Sequence, residues 1–308
     1  MDADPLIVAT RLAVYAALLP AFGLAMFGVP SAGRDGCDAA SPLALPGLLA
    51  ALAAAGLVAS VGQIVAMAAA MSGVAVADLD RQTLVDLLIG SAVGYAWLLR
   101  VTMLVLLGLV VIVLRRHRIV MAGLAMLSSG TAAATLAWTG HGAMDEGARG
   151  WVHLGADVLH LLAAGGWLGA LAALILLLRA SVTGDPSGLA TAHRALDRFS
   201  GAGTLFVGLI LVTGIVNTWL IVGPGHVADL PGSPYGQLLL AKLTLFVAML
   251  GLAAANRFRL VPALAAAMAA GDHQRALGSM RRSLALEIGC AIVILILVAW
   301  LGTLEPPS

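Results

Sequence analysis

Long stretches of apolar residues, each bounded by charged residues or by Gly and Pro, dominate the hydrophobic pattern of this chain. A bilayer core of about 30 Å is crossed by about 20 helical residues, and eight stretches have the required length. They cover residues 6–29, 44–71, 92–114, 119–138, 151–178, 199–222, 237–255 and 283–302. The pattern therefore predicts an all-α, polytopic membrane helix bundle with about eight transmembrane helices.

Composition points to the same class of protein. Of the 308 residues, 61% are apolar and only 11% are charged, which leaves too little polar surface for a soluble globular domain. The longest connection between spans, residues 256–282, is too short for a separate soluble domain, so residues 1–308 are expected to form a single transmembrane domain. The net charge of +1 comes without a basic face, which excludes nucleic acid as an expected partner.

Arginine residues indicate which side of the membrane each connection faces. Twelve lie in connections on one side of the predicted bundle, and only Arg81 and Arg149 lie on the other. The twelve are Arg34, Arg115, Arg116, Arg118, Arg179, Arg194, Arg198, Arg257, Arg259, Arg275, Arg281 and Arg282. Because arginine-rich connections stay in the cytoplasm, both termini are predicted to be periplasmic, and a bacterial inner membrane is the expected location.

Three ionisable residues interrupt the fifth apolar span, namely His153, Asp157 and His160. At about 100° per residue they fall within about 60° of arc and share one helix face. In the predicted orientation this span enters from the periplasm. Since ionisable groups within a span usually face the bundle interior and often mark function, we expect a polar column that opens outward.

The turn before this span adds His141 and Met144. Imidazole binds copper, zinc and iron, a carboxylate can bind a metal or orient a histidine, and a thioether favours Cu(I). The pattern therefore predicts a metal site formed by His141, Met144, His153, Asp157 and His160. The alternative is that these groups only make hydrogen bonds between helices, as polar residues of membrane bundles often do.

Two methionines near the outer end of the second span, Met67 and Met71, are four residues apart and share a helix face. Thioethers are weak and exchangeable ligands, so this pair is a candidate continuation of a path for a soft cation. Ordinary apolar packing is the alternative interpretation of a methionine stripe.

Three cations, Arg11, Arg100 and Lys242, fall in the outer halves of their predicted spans. They would repel a metal cation unless Asp157 and other acceptors neutralise them, and they would attract an anionic group such as a haem propionate. A copper ion and, as the alternative, haem are therefore both candidate ligands. Hydrogen bonding to helix ends or lipid headgroups is the structural alternative for the three cations.

Several short patches carry a family resemblance. They are Gly94-x-x-Trp97-x-x-Arg100, His153-x-x-x-Asp157-x-x-His160 with Trp167-x-Gly169, Arg198-Phe199-Ser200, Gly214-x-x-Asn217, Tyr235-Gly236, Lys242 and Asn256-Arg257. Together they resemble the copper-resistance D (CopD) family of inner-membrane copper-handling proteins over about residues 90–260. The resemblance implies movement of copper across the cytoplasmic membrane, often beside a separate periplasmic copper-binding protein of the copper-resistance C type.

The resemblance also implies that His153, Asp157 and His160 are copper ligands, with Arg11, Arg100, Lys242, Trp167 and Asn217 as supporting intramembrane residues. Some relatives have a histidine in the first span, where this chain has Arg11 and Tyr15 instead. We accordingly predict a non-enzymatic copper homeostasis protein, and no nucleotide-binding motif suggests ATP-driven pumping. The two alternatives are a membrane haem or electron-transfer protein and an assembly factor that delivers copper to another protein.

Overall fold

The computed structural model describes residues 4–32, 45–140, 147–180, 186–270 and 274–307. Across these residues the chain is helical, without a β-strand. Eight helical segments are long and apolar enough to cross a membrane. The predicted all-α class and the number of spans are therefore confirmed, while the side of the membrane on which the termini lie stays a prediction.

The described residues form ten α-helices joined by short helical turns. The helices are α1 (Pro5–Ala32), α2 (Leu45–Ser72), α3 (Arg81–Gly90), α4 (Ala92–Val113), α5 (Arg118–Ala134), α6 (Gly147–Ala180), α7 (Pro186–Ile221), α8 (Pro234–Ala255), α9 (Val261–Ala270) and α10 (Gln274–Leu301). The 3₁₀ turns are Val76–Asp78, Thr135–Thr139 and Pro224–Gly232, and a π-helical turn, Asn256–Leu260, joins α8 to α9.

Several helices extend beyond the apolar stretches that predict them. The α6 helix begins at Gly147 rather than near 151, and α7 begins at Pro186 rather than near 199. Hydropathy marks only the apolar part of a helix, whereas the backbone hydrogen bonds continue into its polar ends. The short α3 helix was not predicted; Asp80 caps it by accepting a hydrogen bond from the Gln82 backbone amide.

The pair α1 and α6 occupies the centre of the bundle. Cβ atoms would clash here, because one on Gly23 would lie 2.1 Å from the Gly165 carbonyl oxygen and one on Gly169 would lie 2.2 Å from the Gly23 carbonyl carbon. Small residues allow the two backbones to approach closely, as in other membrane bundles. This contact fixes the polar face of α6 inside the bundle.

The remaining helices pack around this central pair. α1 also contacts α2, α5 and α10, and α6 also contacts α7 and α10. At the periphery α4 packs on α2 and α5, while α8 packs on α10. Apolar side chains fill the spaces between the helices, including the fully buried Leu18, Leu107, Leu136 and Leu171.

Candidate functional site

Asp157 of α6 lies where several helices converge. Asn217 of α7 donates a hydrogen bond from Nδ2 to Asp157 Oδ1 over 2.9 Å. Gly140, just after the 3₁₀ turn that ends α5, approaches the other carboxylate oxygen so closely that a Cβ there would lie 3.3 Å from Oδ2. The side chains that interact electrostatically with this carboxylate are Arg11, His153 and Lys242. Asp157 is therefore surrounded by groups from α1, α7, α8 and the end of α5.

His160, further along α6, contacts α7 through Thr213. Its Nδ1 lies 2.9 Å from the Thr213 hydroxyl oxygen, and that hydroxyl lies 2.5 Å from the Leu209 carbonyl oxygen. Because the hydroxyl has a single hydrogen, this arrangement favours the tautomer in which Nδ1 donates and Nε2 carries the lone pair that a metal ligand requires.

His153 lies one helical turn before Asp157, and only 1% of its surface is exposed. Within the described ranges, no group of three or more His, Cys, Asp or Glu side chains is arranged to hold a metal ion. The structure thus brings His153 and Asp157 together and ties His160 to α7. His141 and Met144 lie outside the described residues, so the predicted five-residue metal site stays a prediction.

Arg11 connects α1 to the segment that leads into the predicted site. Its Nη1 donates to the Thr139 carbonyl oxygen over 3.1 Å, and its Nη2 donates to the Tyr15 hydroxyl over 3.3 Å. The guanidinium also lies against Gly302, at the end of α10. Arg11 therefore fixes the backbone one residue before Gly140 and places a positive charge close to Asp157.

Arg100 of α4 belongs to a second polar cluster, which interacts electrostatically with Arg11 and Tyr15 of the first. Its guanidinium is 1% exposed and donates to Gln63 Oε1 over 2.7 Å, to Thr135 Oγ1 over 2.9 Å and to the Thr135 carbonyl oxygen over 3.3 Å. These bonds join α4 to α2 and to the turn that follows α5. They agree with the structural alternative for this cation.

The two predicted methionine ligands have different surroundings from the α6 residues. Met67 packs against the buried cluster that contains Ile64 and Leu87, and Met71 is 70% exposed. The helix that carries them, α2, packs on α1 and α4 rather than on α6. Their environment fits apolar packing, and a ligand role for them stays a prediction.

A further intramembrane polar group was not singled out as a site from the sequence. Glu287 of α10 is 1% exposed and accepts a hydrogen bond from the side-chain amide of Asn256. Trp167, predicted to support the polar column, lies beside Glu287 instead and packs edge-on against Phe246 with a centroid separation of 6.1 Å. The sequence feature that could have identified this group is Glu287 itself, since a carboxyl group is rare in an apolar span.

Comparison with known proteins assigns the chain to a family. One family model, "Copper resistance protein D-like, N-terminal domain", matches residues 1–151, and a second, "Copper resistance protein D", matches residues 193–301. A Copper resistance protein D of Pseudomonas syringae pv. tomato is 46% identical over 308 residues, which covers 98% of this chain and 97% of the relative. The chain belongs to the copper resistance protein D family.

Two further relatives match over about half of the chain. The inner membrane protein YebZ of Escherichia coli strain K12 is 33% identical over 172 residues, covering 56% of this chain and 55% of that protein. The copper transport protein CutJ of Bacillus subtilis strain 168 is 35% identical over 179 residues, covering 56% of this chain and 31% of that protein. No solved structure is significantly similar to the chain.

Membership of this family and the eight apolar helices together establish a multi-pass membrane protein. The two family models leave residues 152–192 between them, and His153, Asp157 and His160 lie in this interval. The candidate residues therefore stand on the helix that joins the two matched regions, and α6 packs against helices from both of them.

Proposed function

We propose that this protein moves copper ions across the cytoplasmic membrane through a site centred on Asp157. The observation that carries the proposal is the position of this carboxylate, which four neighbouring elements surround and which lies on the same α6 face as His153 and His160. The names of two relatives, a copper resistance protein and a copper transport protein, support copper as the cargo.

In this proposal copper enters from the periplasm at His141, Met144 and His153. It then passes to Asp157 and on to Nε2 of His160, whose favoured tautomer leaves that nitrogen available.

The two positive charges beside Asp157 also fit transport, because they limit how tightly a copper ion can bind there. Arg11 and Lys242 both act on the carboxylate, so a copper ion that binds there is attracted by one charge and repelled by two. Conduction requires binding that is strong enough for entry and weak enough for release. We propose that the two cations set the affinity in this range.

We propose inward movement, from a polar column that opens to the periplasm in the predicted topology with both termini periplasmic. A separate periplasmic carrier of the copper-resistance C type would deliver copper to the outer end of α6. Since no chemical conversion of the cargo is required, the proposal describes a transport protein rather than an enzyme.

The haem alternative has a geometric constraint. His153 and His160 are seven residues apart on one helix face, which separates their backbone positions by about 10 Å along the axis. They cannot occupy the two opposite faces of one haem, so a haem would need an axial ligand from another helix. The assembly-factor alternative uses the same copper site but delivers the ion to a protein on the same side of the membrane.

Copper binding and uptake test the proposal together. The protein is purified in detergent, Cu(I) affinity is measured by competition with a chromophoric chelator, and uptake of copper is measured in proteoliposomes. We expect a His153→Ala, His160→Ala double variant to lose both activities. His117→Ala is the matched control, because His117 is exposed before α5 and lies outside the site.

Three other results would each support a different conclusion. Unchanged copper affinity in the double variant would contradict the site. Copper binding without uptake would replace the transport proposal with the assembly-factor alternative. A Soret band in the protein as isolated would support haem.

A further inference from the structure

A cavity of about 280 Å³ lies beyond His160 along α6, beside Trp167. Its apolar walls come from α6, α7, α8, the π-helical turn and α10. They include Leu171, Val207, Leu250, Ala253, Phe258 and Leu284. An apolar cavity of about 150 Å³ is enough to bind benzene, so this one has room for a substituted six-membered ring.

One end of this cavity is polar. Glu287, Asn256 and Trp167 meet there, and each is at least nine-tenths buried. Asn256 uses its amide nitrogen on Glu287, which leaves Asn256 Oδ1 buried without a hydrogen-bond partner in the described part of the chain. The indole N–H of Trp167 interacts with the Glu287 carboxyl group. An unpaired acceptor and a carboxyl group thus line the same space.

Such an atom is costly to leave unpaired in an apolar interior. A ligand that donates a hydrogen bond to Asn256 Oδ1 would recover this cost. The polar end therefore selects a molecule that carries a hydroxyl-type donor on an apolar body.

The backbone is irregular at this place. The π-helical turn Asn256–Leu260 interrupts the continuation of α8 into α9 and supplies Asn256, Arg257 and Phe258 to the cavity wall. Single π-helical turns are rare and occur frequently at functional sites. This observation is independent of the cavity volume and of the unpaired polar atom.

Access to the cavity is lateral. Thr204 of α7 and Ala254 of α8 both line the cavity and are both exposed, so the cavity opens to the surroundings between these helices. The two helices pack on different partners, α7 on α6 and α8 on α10. Arg257 donates a hydrogen bond to Thr204 at this opening, and Arg257 belongs to a connection predicted to be cytoplasmic. The opening therefore lies at the membrane interface, and a ligand would enter there with its apolar part in the bilayer.

We propose that this cavity binds a lipid-soluble quinol. The ring would lie among the apolar residues, and a quinol hydroxyl would donate to Asn256 Oδ1. A phospholipid whose phosphate lay beside Arg257 at the opening would reach the polar end with an acyl chain only, which would leave Asn256 Oδ1 unpaired. This site is separate from the proposed copper site and does not depend on it.

Binding of decylubiquinol, kept reduced by the exclusion of oxygen, tests the proposal. The intact protein is placed in nanodiscs of one synthetic phosphatidylcholine, and the probe that co-elutes with them is compared with the amount in empty nanodiscs. We expect about one equivalent per protein above the empty nanodiscs. Ala253→Phe fills the cavity and should abolish this excess, and Asn256→Leu should weaken binding at least tenfold.

Ala55→Phe is the matched control, since Ala55 is an exposed residue of α2, remote from the cavity lining, and the same enlargement there should leave probe binding unchanged. Retained Cu(I) binding in Ala253→Phe would show that the variant is folded and that the two sites are independent. Probe binding equal to that of empty nanodiscs, or unchanged in Ala253→Phe, would overturn the proposal. A co-purified phospholipid that Ala253→Phe loses and the probe does not displace would also overturn it.

Discussion

The bundle contains two buried polar clusters that differ in how much of their hydrogen-bonding capacity is used. In the first, the Arg100 guanidinium makes three hydrogen bonds, all to Gln63 and Thr135. In the second, Asp157 accepts one hydrogen bond from Asn217, and its other described interactions, with Arg11, His153 and Lys242, are electrostatic. The first cluster uses every nitrogen of the guanidinium in a hydrogen bond to a neighbouring element, whereas the described residues supply Asp157 with a single hydrogen-bond donor.

This difference distinguishes a polar cluster that holds helices together from one that can bind an ion. Both clusters appear in the sequence as ionisable residues within apolar spans, and such residues are expected to have a function. A guanidinium whose donors are directed at neighbouring helices stabilises the arrangement of those helices. A carboxylate with free lone pairs beside a histidine can receive an ion. Substitutions should therefore affect folding at the first cluster and copper binding at the second.

The largest effect is expected from Arg100→Met. This change removes three buried hydrogen bonds and leaves Gln63 Oε1 without its donor, so the free energy of unfolding should fall by about 3 kcal/mol. Unfolding by sodium dodecyl sulfate in mixed micelles measures this loss. Adding Gln63→Leu should recover part of it, because the unpaired acceptor is then removed as well.

The same Arg100→Met protein should keep its Cu(I) affinity within about twofold. A large loss of copper binding in a variant that remains folded would place Arg100 in the copper site. It would also remove the distinction between the two clusters.

Asp157→Asn should weaken copper binding more than it lowers the stability of the protein. The amide keeps the shape of the carboxyl group and can still accept the hydrogen bond from Asn217, but Arg11 and Lys242 lose the opposite charge beside them. The free energy of unfolding should therefore fall, by less than it does in Arg100→Met. The lost negative charge should weaken Cu(I) binding by about a hundredfold, or about 2.7 kcal/mol. Asp78→Asn is the matched control, since Asp78 is exposed in a 3₁₀ turn outside the site.

Chelator competition measures the affinities of both variants. If Asp157→Asn binds copper as wild type does, the carboxylate serves only as a contact between α6 and α7. The proposed function would then lose the observation that carries it.

Much of the fold follows from the sequence because hydropathy over about 20 residues responds directly to the thickness of the bilayer. That signal does not report where a helix ends, so the polar starts of α6 and α7 were missed. It also does not report which helices touch. The pairing of α1 with α6 depends on Gly23, Gly165 and Gly169, which are far apart in sequence and are only three of 36 glycines.

The candidate site was predictable only in part. Helical periodicity predicts that His153, Asp157 and His160 share a face, and their common helix makes this inference local. The partners of these residues, Asn217 and Thr213, come from α7, and periodicity within one helix carries no information about them. For the same reason the contact of Trp167 with Glu287 was not predicted, since it joins residues 120 positions apart.

Thr213→Val tests how His160 is oriented. Valine has nearly the shape of threonine but cannot accept the hydrogen bond from Nδ1, so the tautomer and the ring position are no longer fixed. Loss of such a partner typically weakens metal binding by at least about tenfold, and we expect a decrease of about tenfold in Cu(I) affinity. Thr244→Val, at an exposed hydroxyl of α8 that bonds only within its own helix, should leave the affinity unchanged. An equal decrease in both variants would indicate a general disturbance of the bundle.

Lys242→Met has the smallest expected effect and the opposite sign. Methionine is similar in length but uncharged, so copper at Asp157 would no longer be repelled by Lys242, and Cu(I) affinity should increase about fivefold, or about 1 kcal/mol. If the cations keep affinity low enough for release, copper uptake into proteoliposomes should nevertheless become slower in this variant. Tighter binding with unchanged or faster uptake would show that release from Asp157 does not limit transport. Weaker binding would show that Lys242 itself supports the site, by holding the carboxylate in place.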